Sequence, residues 1–521
     1  MKKNVVGFLR REGEQVVNDD GPVFLEGWNI GNWLVPEGYM WESGGATNFD
    51  RPRRINARFE ELLGHDEAQS FWLKFRDAYI TQADIDYIKA QGYNSIRLPF
   101  DSGLLLKDEP GLQLNESGFD YIQRVIDWCH QADMYVIIDM HAAPGGQTGS
   151  NMDNSVDNFP RLYTDKVSYD KGIGLWREIA RRYANDPYVG GYDLLNEPVR
   201  TQKEWANIDY LLPRLAAFYT DAIAAIREVD TKHMLSLEGH HWANDPNVFT
   251  HRYDENMVVH FHYYGGLPEA SQLQDWFEVR QRLNVPLWMG ESGENEPEWT
   301  AAMGQICRAN NIGYCFWPYK KMGVANGCVT VKIPEGWADV INYVNGAPHP
   351  GYEQMQMTFN QLIENCRFEN CQKNDRVDRE IRGISPYDLR ATDFLDDGCI
   401  GHNAPKNLDR YRFVTPMEVI PLKPKQANQF DFDTQWNRFV VRLSEGEQVQ
   451  YLIRAHQAAW TVKLQCRGTF PARLVLEVEG NSQTISVNAA MTEVTMPPVE
   501  KPGRLTLRVA EGQLSIETIE L

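Results

Sequence analysis

The stretch "YVIIDMHAAPGG", residues 135–146, runs four apolar side chains in a row, meets Asp139 and His141, and breaks at Pro144 and two glycines. A strand with one wet face alternates apolar and polar residues. An unbroken apolar run belongs to a strand covered on both faces, as in a parallel sheet flanked by helices. The same pattern occurs eight times: "VFLEGWN" (23–29), "SIRLPF" (95–100), "YVIIDMH" (135–141), "GYDLLNEP" (191–198), "HMLSLEGHH" (233–241), "MVVHFHYY" (257–264), "PLWMGESG" (286–293) and "GYCFWPY" (313–319). Segments with helical spacing fall between them. Phe119, Ile122, Ile126 and Cys129 share one helical face, as do Leu215, Tyr219, Ala222 and Ile226, and Thr81 stands as an N-cap with Gly92 as the stop. Eight such units predict an α/β fold, a (β/α)8 TIM barrel of roughly 350 residues. The competing arrangement is a doubly wound open sheet, but no GxGxxG follows the first strand.

After residue 385 the texture changes. Gly, Pro, Asp and Asn punctuate residues 386–425 without a period, which reads as a linker or a segment wrapped on the barrel. From 426 to 521, runs such as "RFVVRL", "WTVKLQCRG", "ARLVLEVEG" and "LSIETIEL" alternate apolar and polar residues, the pattern of an antiparallel β-sandwich. The expected division is therefore a barrel over 1–385, a connecting segment over 386–425 and an accessory sandwich over 426–521.

With 52 basic against 72 acidic residues the formal charge is −20, which repels nucleic-acid phosphates and anionic membranes. A neutral or cationic partner fits better. No stretch approaches a membrane span, and the opening "MKKNVVGFLRREGEQ" has too few apolar residues before Arg10 for a secretory signal. The compartment stays open between an internal protein and one whose signal has been removed. The eight cysteines form no CxxC pair; Cys366 and Cys371 could bridge, or could equally be buried free thiols.

In such a barrel the active site forms at the C-terminal ends of the strands, so the polar residues closing each run make one list. They are Arg97, Asp139, His141, Asn196, Glu197, Glu238, His240, His241, His260, His262, Tyr264, Glu291 and Trp317. Glu197 and Glu291 close the fourth and seventh runs, across the mouth from each other. Two carboxyl groups flanking a cleft suit glycoside hydrolysis, one protonating the leaving oxygen and one attacking the sugar or activating water. That division needs unlike environments, with Glu291 ionised beside Arg97 and Glu197 keeping its proton. Singly, each is weak evidence, since a Glu ending a strand is commonly a salt-bridged loop residue. A different chemistry is also open: His141, His240 with His241, and His260 with His262 could hold a metal, although the HxH that barrel metal sites use is missing from the first run.

The ordered motifs "GWNIGNWL", "GYNSIRLPF", "VIIDMHAAPGGQTGSN", "YDLLNEP", "HFHYY", "WMGESGE" and "CFWPYKK" resemble those of glycoside hydrolase family 5, the retaining (β/α)8 glycosidases, over residues of about 20 to 370. The resemblance implies Glu197 as acid/base and Glu291 as nucleophile. It further implies that Arg97 orients the nucleophile, Asn196 meets the substrate 2-hydroxyl and Tyr264 hydrogen-bonds Glu291. His141 and His262 would line the glycone subsite above a Trp317 platform, with no cofactor and no metal. Within the family "GWNIGNWLVPEGYMW" and "DMHAAPGGQTG" look most like the exo-β-1,3-glucanase and β-glucosidase branch, while endo-β-1,4-glucanase, xyloglucanase and glycolipid β-glucosidase activities stay open. The expected partner is a glycan, and the different-class alternative is a barrel that binds glycan without cleaving it. The C-terminal region is similar to jelly-roll carbohydrate-binding modules, in which Trp436 or Trp460 would either stack on sugar or pack in the core.

Overall fold

The computed structural model of the chain describes residues 3–200, 209–266, 268–295, 297–374, 377–378, 381, 389–392, 394–395, 398–402, 415–422, 439–453, 455–468, 470–500 and 503–521. The eight apolar runs form one closed parallel barrel. Its strands are β1 (Glu26–Asn29), β2 (Ser95–Asp101), β3 (Tyr135–Ala142), β4 (Val189–Asp193), β5 (Met234–Glu238), β6 (Met257–Tyr263), β7 (Leu287–Ser292) and β8 (Gly313–Phe316). Each pairs with its chain neighbours, and β8 returns to β1 through Cys315 opposite Gly27 and Phe316 opposite Trp28. Residues of β2, β3, β4, β5 and β7 are buried throughout, as the unbroken apolar character requires.

The helices follow their apolar spacing. Helix α1 (Gln82–Ala90) starts at Thr81 with a capping box completed by Asp84. In α2 (Glu116–Ala132), Phe119, Ile122, Ile126 and Cys129 are all buried, and in α3 (Leu212–Arg227) so are Leu215, Tyr219, Ala222 and Ile226. The sequence extends the fourth strand to Pro198, but β4 stops at Asp193. Beyond it Glu197 takes φ +44° and Val199 φ +58°, left-handed values that no strand can carry, so the acid sits on a turn past the strand.

The opening segment plugs the bottom of the barrel. Three short antiparallel strands (Arg10–Glu12, Gln15–Asn18 and Gly21–Pro22) form a small sheet, and Val5 and Leu9 pack with Leu25, Met234, Val258 and Trp288. Asn4 fastens it by donating its backbone N–H to Asp133 Oδ2 at 2.7 Å. Burying one such Leu is worth about 1.5–3 kcal/mol. No helix among the described residues is long and apolar enough to cross a membrane. The eight cysteines are free thiols, Cys366 and Cys371 included.

The chain forms two compact units, one of Met1–Tyr263, Gln274–Glu294 and Cys307–Asn374, the other of Tyr264–Leu273, Asn295–Ile306 and Asp375–Leu521. In the second, the C-terminal strands are β9 (Leu389–Arg390), β10 (Glu418–Pro421), β11 (Phe439–Ser444), β12 (Gln448–Ile453), β13 (Trp460–Arg467), β14 (Ala472–Val478), β15 (Asn481–Val487), β16 (Met491–Met496), β17 (Gly503–Glu511) and β18 (Gln513–Glu520). They make two antiparallel sheets, β10-β11-β18-β13-β16 with β9 beside β18, and β12-β17-β14-β15. Trp460 is buried, donates its indole N–H to the Pro497 carbonyl at 2.8 Å and stacks on His456. It therefore packs in the core. Trp436 and most of 386–425 lie outside the described residues.

Candidate active site

Arg97, fully buried on β2, is the hub of the barrel mouth. Its Nε donates to Asp193 Oδ2 at 2.8 Å, and Nη2 to Asn196 Oδ1 at 2.8 Å and Glu238 Oε1 at 3.0 Å. Nη2 also pairs with Asp139 Oδ2 at 3.1 Å, while Nη1 donates to Asn29 Oδ1 at 3.1 Å and to Glu291 Oε1. A guanidinium offers five N–H donors in a fixed plane, so it fixes several carboxylates at once where a lysine would act as a point charge.

Glu291 ends β7 with its carboxylate facing three cationic groups: Arg97, His262 Nδ1 at 3.5 Å and His141 Nδ1 at 3.9 Å. Burial favours its neutral form, but His262, Arg97 and His141 together hold it below the usual carboxylate range. The carboxylate of Glu197 accepts from His262 Nδ1 at 2.8 Å. An oxygen of Glu197 and an oxygen of Glu291 lie within 4.8 Å of each other. Carboxyl groups about 5–5.5 Å apart suit direct attack on the sugar, whereas about 6.5–9.5 Å leaves room for an intervening water.

The histidines have distinct protonation. Burial opposes charge on His262, yet Glu291 and Glu238 push its pKa well above the usual value. Burial drives His260 down to about 4, so His260 is neutral and its ring can donate at one nitrogen and accept at the other. His260 Nδ1 then donates to Asp193 Oδ1 at 3.1 Å while Nε2 accepts from His262 Nε2 at 3.1 Å. Gly290 permits this, since a Cβ there would sit 1.9 Å from His260 Nε2.

One side of the mouth is a flat wall. His141 stacks on Trp317 with ring centroids 5.3 Å apart and planes 5° apart. Burial opposes charge on His141, but Asp139, which accepts from its Nδ1 at 2.7 Å, helps raise its pKa to about 10. Trp317 donates its indole N–H to the Tyr39 hydroxyl at 2.7 Å, and Gly31 leaves room for the ring, because a Cβ there would fall 2.2 Å from it. Beside this wall Glu37 lies 3.6 Å from His141 Nε2 and accepts from Asn151 Nδ2 at 3.1 Å; burial lifts its pKa to about 7, against the opposing effect of His141.

The backbone bearing Glu197 is held from both sides. From the loop after β3, Gln147 Nε2 donates to the Asn196 carbonyl at 2.8 Å and Thr148 Oγ1 to the Glu197 carbonyl at 2.7 Å. Asp153 braces that loop by accepting from the backbone N–H groups of Thr148 and Gly149 at 2.8 and 2.7 Å. Opposite it, Glu238 Oε2 accepts the Glu197 N–H at 2.6 Å.

Arg97, His141, Asn196, Glu197, His262, Glu291 and Trp317 all lie in one unit and are buried. Tyr264, half-buried just past β6, falls in the other unit. Sequence reading gave no role to Asp193 or Glu238, offered His260 only as a metal ligand, and missed Glu37, Tyr39, Gln147 and Thr148. Asp193 did carry a signal, a carboxylate inside an apolar run, but Glu37 and Tyr39 stand in a loop with no period to mark them. Among the described residues, ligand atoms of Glu238, His260 and His262, of Glu197, His262 and Glu291, and of His240, His241 and Asp245 lie within 4.8 Å of one another. In the first two sets His262 joins ion pairs in the network around Arg97. His141, His240 with His241, and His260 with His262 do not meet as one ligand set among the described residues.

A barrel with this carboxylate pair matches one family model, Cellulase (glycosyl hydrolase family 5), over residues 58–323. The chain belongs to glycosyl hydrolase family 5. The chain is similar to a β-xylosidase of Phanerodontia chrysosporium, 31% identical over 307 residues that cover 57% of this chain and 60% of that protein. A glucan 1,3-β-glucosidase of Candida oleophila is 24% identical over 346 residues, 60% of this chain and 77% of that one. Endoglucanase C of Acetivibrio thermocellus is 27% identical over 219 residues, 42% of this chain and 59% of that protein. The chain spans about 60% of the β-xylosidase and 59% of the endoglucanase. The crystal structure of an endogalactoceramidase superposes with a TM-score of 0.50 at 14% identity, covering 98% of this chain and 99% of that one, a likeness of fold.

Proposed function

We propose that this chain is a retaining β-glycosidase that hydrolyses β-glucosidic linkages in a glucan or related glycan by double displacement. The observation that carries the reading is the Glu197–Glu291 pair, with oxygens within 4.8 Å and Glu291 held ionised. Glu291 attacks the anomeric carbon while Glu197 gives its proton to the departing glycosidic oxygen. Glu197 then takes a proton from water, which attacks the glycosyl ester and frees Glu291. Arg97 orients the nucleophile, Asn196 meets the 2-hydroxyl, and His141, His262 and Trp317 form the glycone subsite. Exo action on a β-1,3-glucan is the specific form we favour, supported by the sequence likeness to the Candida glucan 1,3-β-glucosidase. The barrel over 1–385 does the chemistry, and the sandwich over 426–521, whose sheet also takes β9 and β10 from 386–425, is its accessory module.

The reading is tested by digesting a panel of β-1,3-, β-1,4- and β-1,6-linked glucans and aryl β-glycosides and analysing the products. Release of single glucose units from laminari-oligosaccharides is the expected result. Binding without cleavage across the panel would mean a glycan-binding barrel, and activity abolished by EDTA would mean a metal-dependent hydrolase.

A further inference from the structure

We infer that Glu238, at the end of β5, is a positioning residue that holds the acid/base in its working conformation. The inference rests on the glycosidase reading above. Glu197 has a left-handed backbone, φ +44°, which costs a residue with a Cβ about 1–3 kcal/mol and persists only where neighbours enforce it. The enforcing contacts are the two hydrogen bonds to its peptide groups. Thr148 Oγ1 donates to its carbonyl at 2.7 Å, and its N–H donates to Glu238 Oε2 at 2.6 Å.

Glu238 is itself immobile. It is fully buried, its Oε1 accepts from Arg97 Nη2 at 3.0 Å and lies 3.4 Å from His262 Nε2, and its carbonyl accepts from the Tyr219 hydroxyl at 2.8 Å. One carboxylate thereby joins the backbone of the acid/base to the guanidinium that grips the nucleophile. The two arms differ in redundancy. Arg97 keeps Asp139, Asp193 and Glu291 if Glu238 is lost, whereas the described acceptor for the Glu197 N–H is Glu238 alone. Loss of Glu238 should therefore misplace the acid/base more than the nucleophile.

A Gln at this position cannot serve both arms, because its amide N–H group must face either the Glu197 N–H or the Arg97 guanidinium, donor against donor. The test compares kcat/KM of Glu238→Gln and the wild type on a dinitrophenyl and a phenyl β-glucoside. The first leaving group departs without a proton and the second needs one. Misplaced acid catalysis predicts a loss of about 10²-fold on the phenyl glucoside and under ~10-fold on the dinitrophenyl glucoside. Partial misfolding lowers both alike, because the same folded molecules cleave both substrates. Thr148→Ala loosens the same peptide from its other side and should shift the ratio in the same direction by less; it carries the test if Glu238→Gln does not fold. An active wild type whose variants lose both activities equally, or lose neither, overturns the inference. A wild type inert on both substrates instead sinks the glycosidase reading on which the inference rests.

Discussion

At the N-terminal end of the barrel Val5, Leu9, Leu25, Met234, Val258 and Trp288 pack as an apolar floor. At the C-terminal end one buried guanidinium, the histidines His141, His260 and His262, and the acidic residues Asp139, Asp193, Glu197, Glu238 and Glu291 meet at the mouth. The floor gains from leaving water, whereas burying charges costs several kcal/mol per ion before mutual attraction returns it. The left-handed backbone at Glu197 and Val199 adds strain to the same end. Stability and chemistry are thus separated along the barrel axis, so changes at the two ends should be read out by different measurements.

The largest effect is expected at the mouth. Glu291→Gln should lower kcat about 10⁴-fold or more while the thermal midpoint changes little, checked by kinetics beside calorimetry. Glu197→Ala should lose most activity too, with azide restoring cleavage of an activated aryl glycoside; rescue in Glu291→Ala instead would reverse the two roles. Removing Arg97, as in Arg97→Met, should damage activity and stability together, by about 3–5 kcal/mol, because its carboxylates are left unpaired. Leu9→Ala at the floor should cost about 2–5 kcal/mol in chemical denaturation and leave kcat of the folded protein unchanged. A matching fall in kcat would erase the contrast.

The smallest effect is the pH dependence of stability. The pKa of His141 is raised from 6.5 to about 10, so the stability it contributes is fully present below pH 6.5 and is lost as the pH rises through 10. His260, lowered by burial to about 4, acts oppositely and withdraws stability as the pH falls from 6.5 through 4. The thermal midpoint should therefore decline between pH 6.5 and 10, and His141→Phe should flatten that decline.

Much of this architecture was legible in the sequence because strands buried on both faces cannot alternate, and "YVIIDMH" and its seven counterparts are unbroken. The residues closing those runs were legible too, since the barrel geometry assigns their direction. Contacts made from irregular segments were not. Glu37 and Tyr39 reach the mouth from a loop, and Gln147 and Thr148 act through backbone groups that leave no mark on composition. The turn at Glu197 was hidden for a related reason: "LLNEP" continues the apolar run past the point where hydrogen bonds from Gln147, Thr148 and Glu238 secure the chain's bend. The opening segment, too polar on average to suggest a core, seals the floor with two residues, Val5 and Leu9.

The stereochemistry of hydrolysis reads the short carboxylate separation most directly. With an aryl β-glucoside followed by proton NMR in the first minutes, direct attack by Glu291 means that β-glucose forms first and mutarotates later. First appearance of α-glucose would mean inversion through an intervening water and would contradict it.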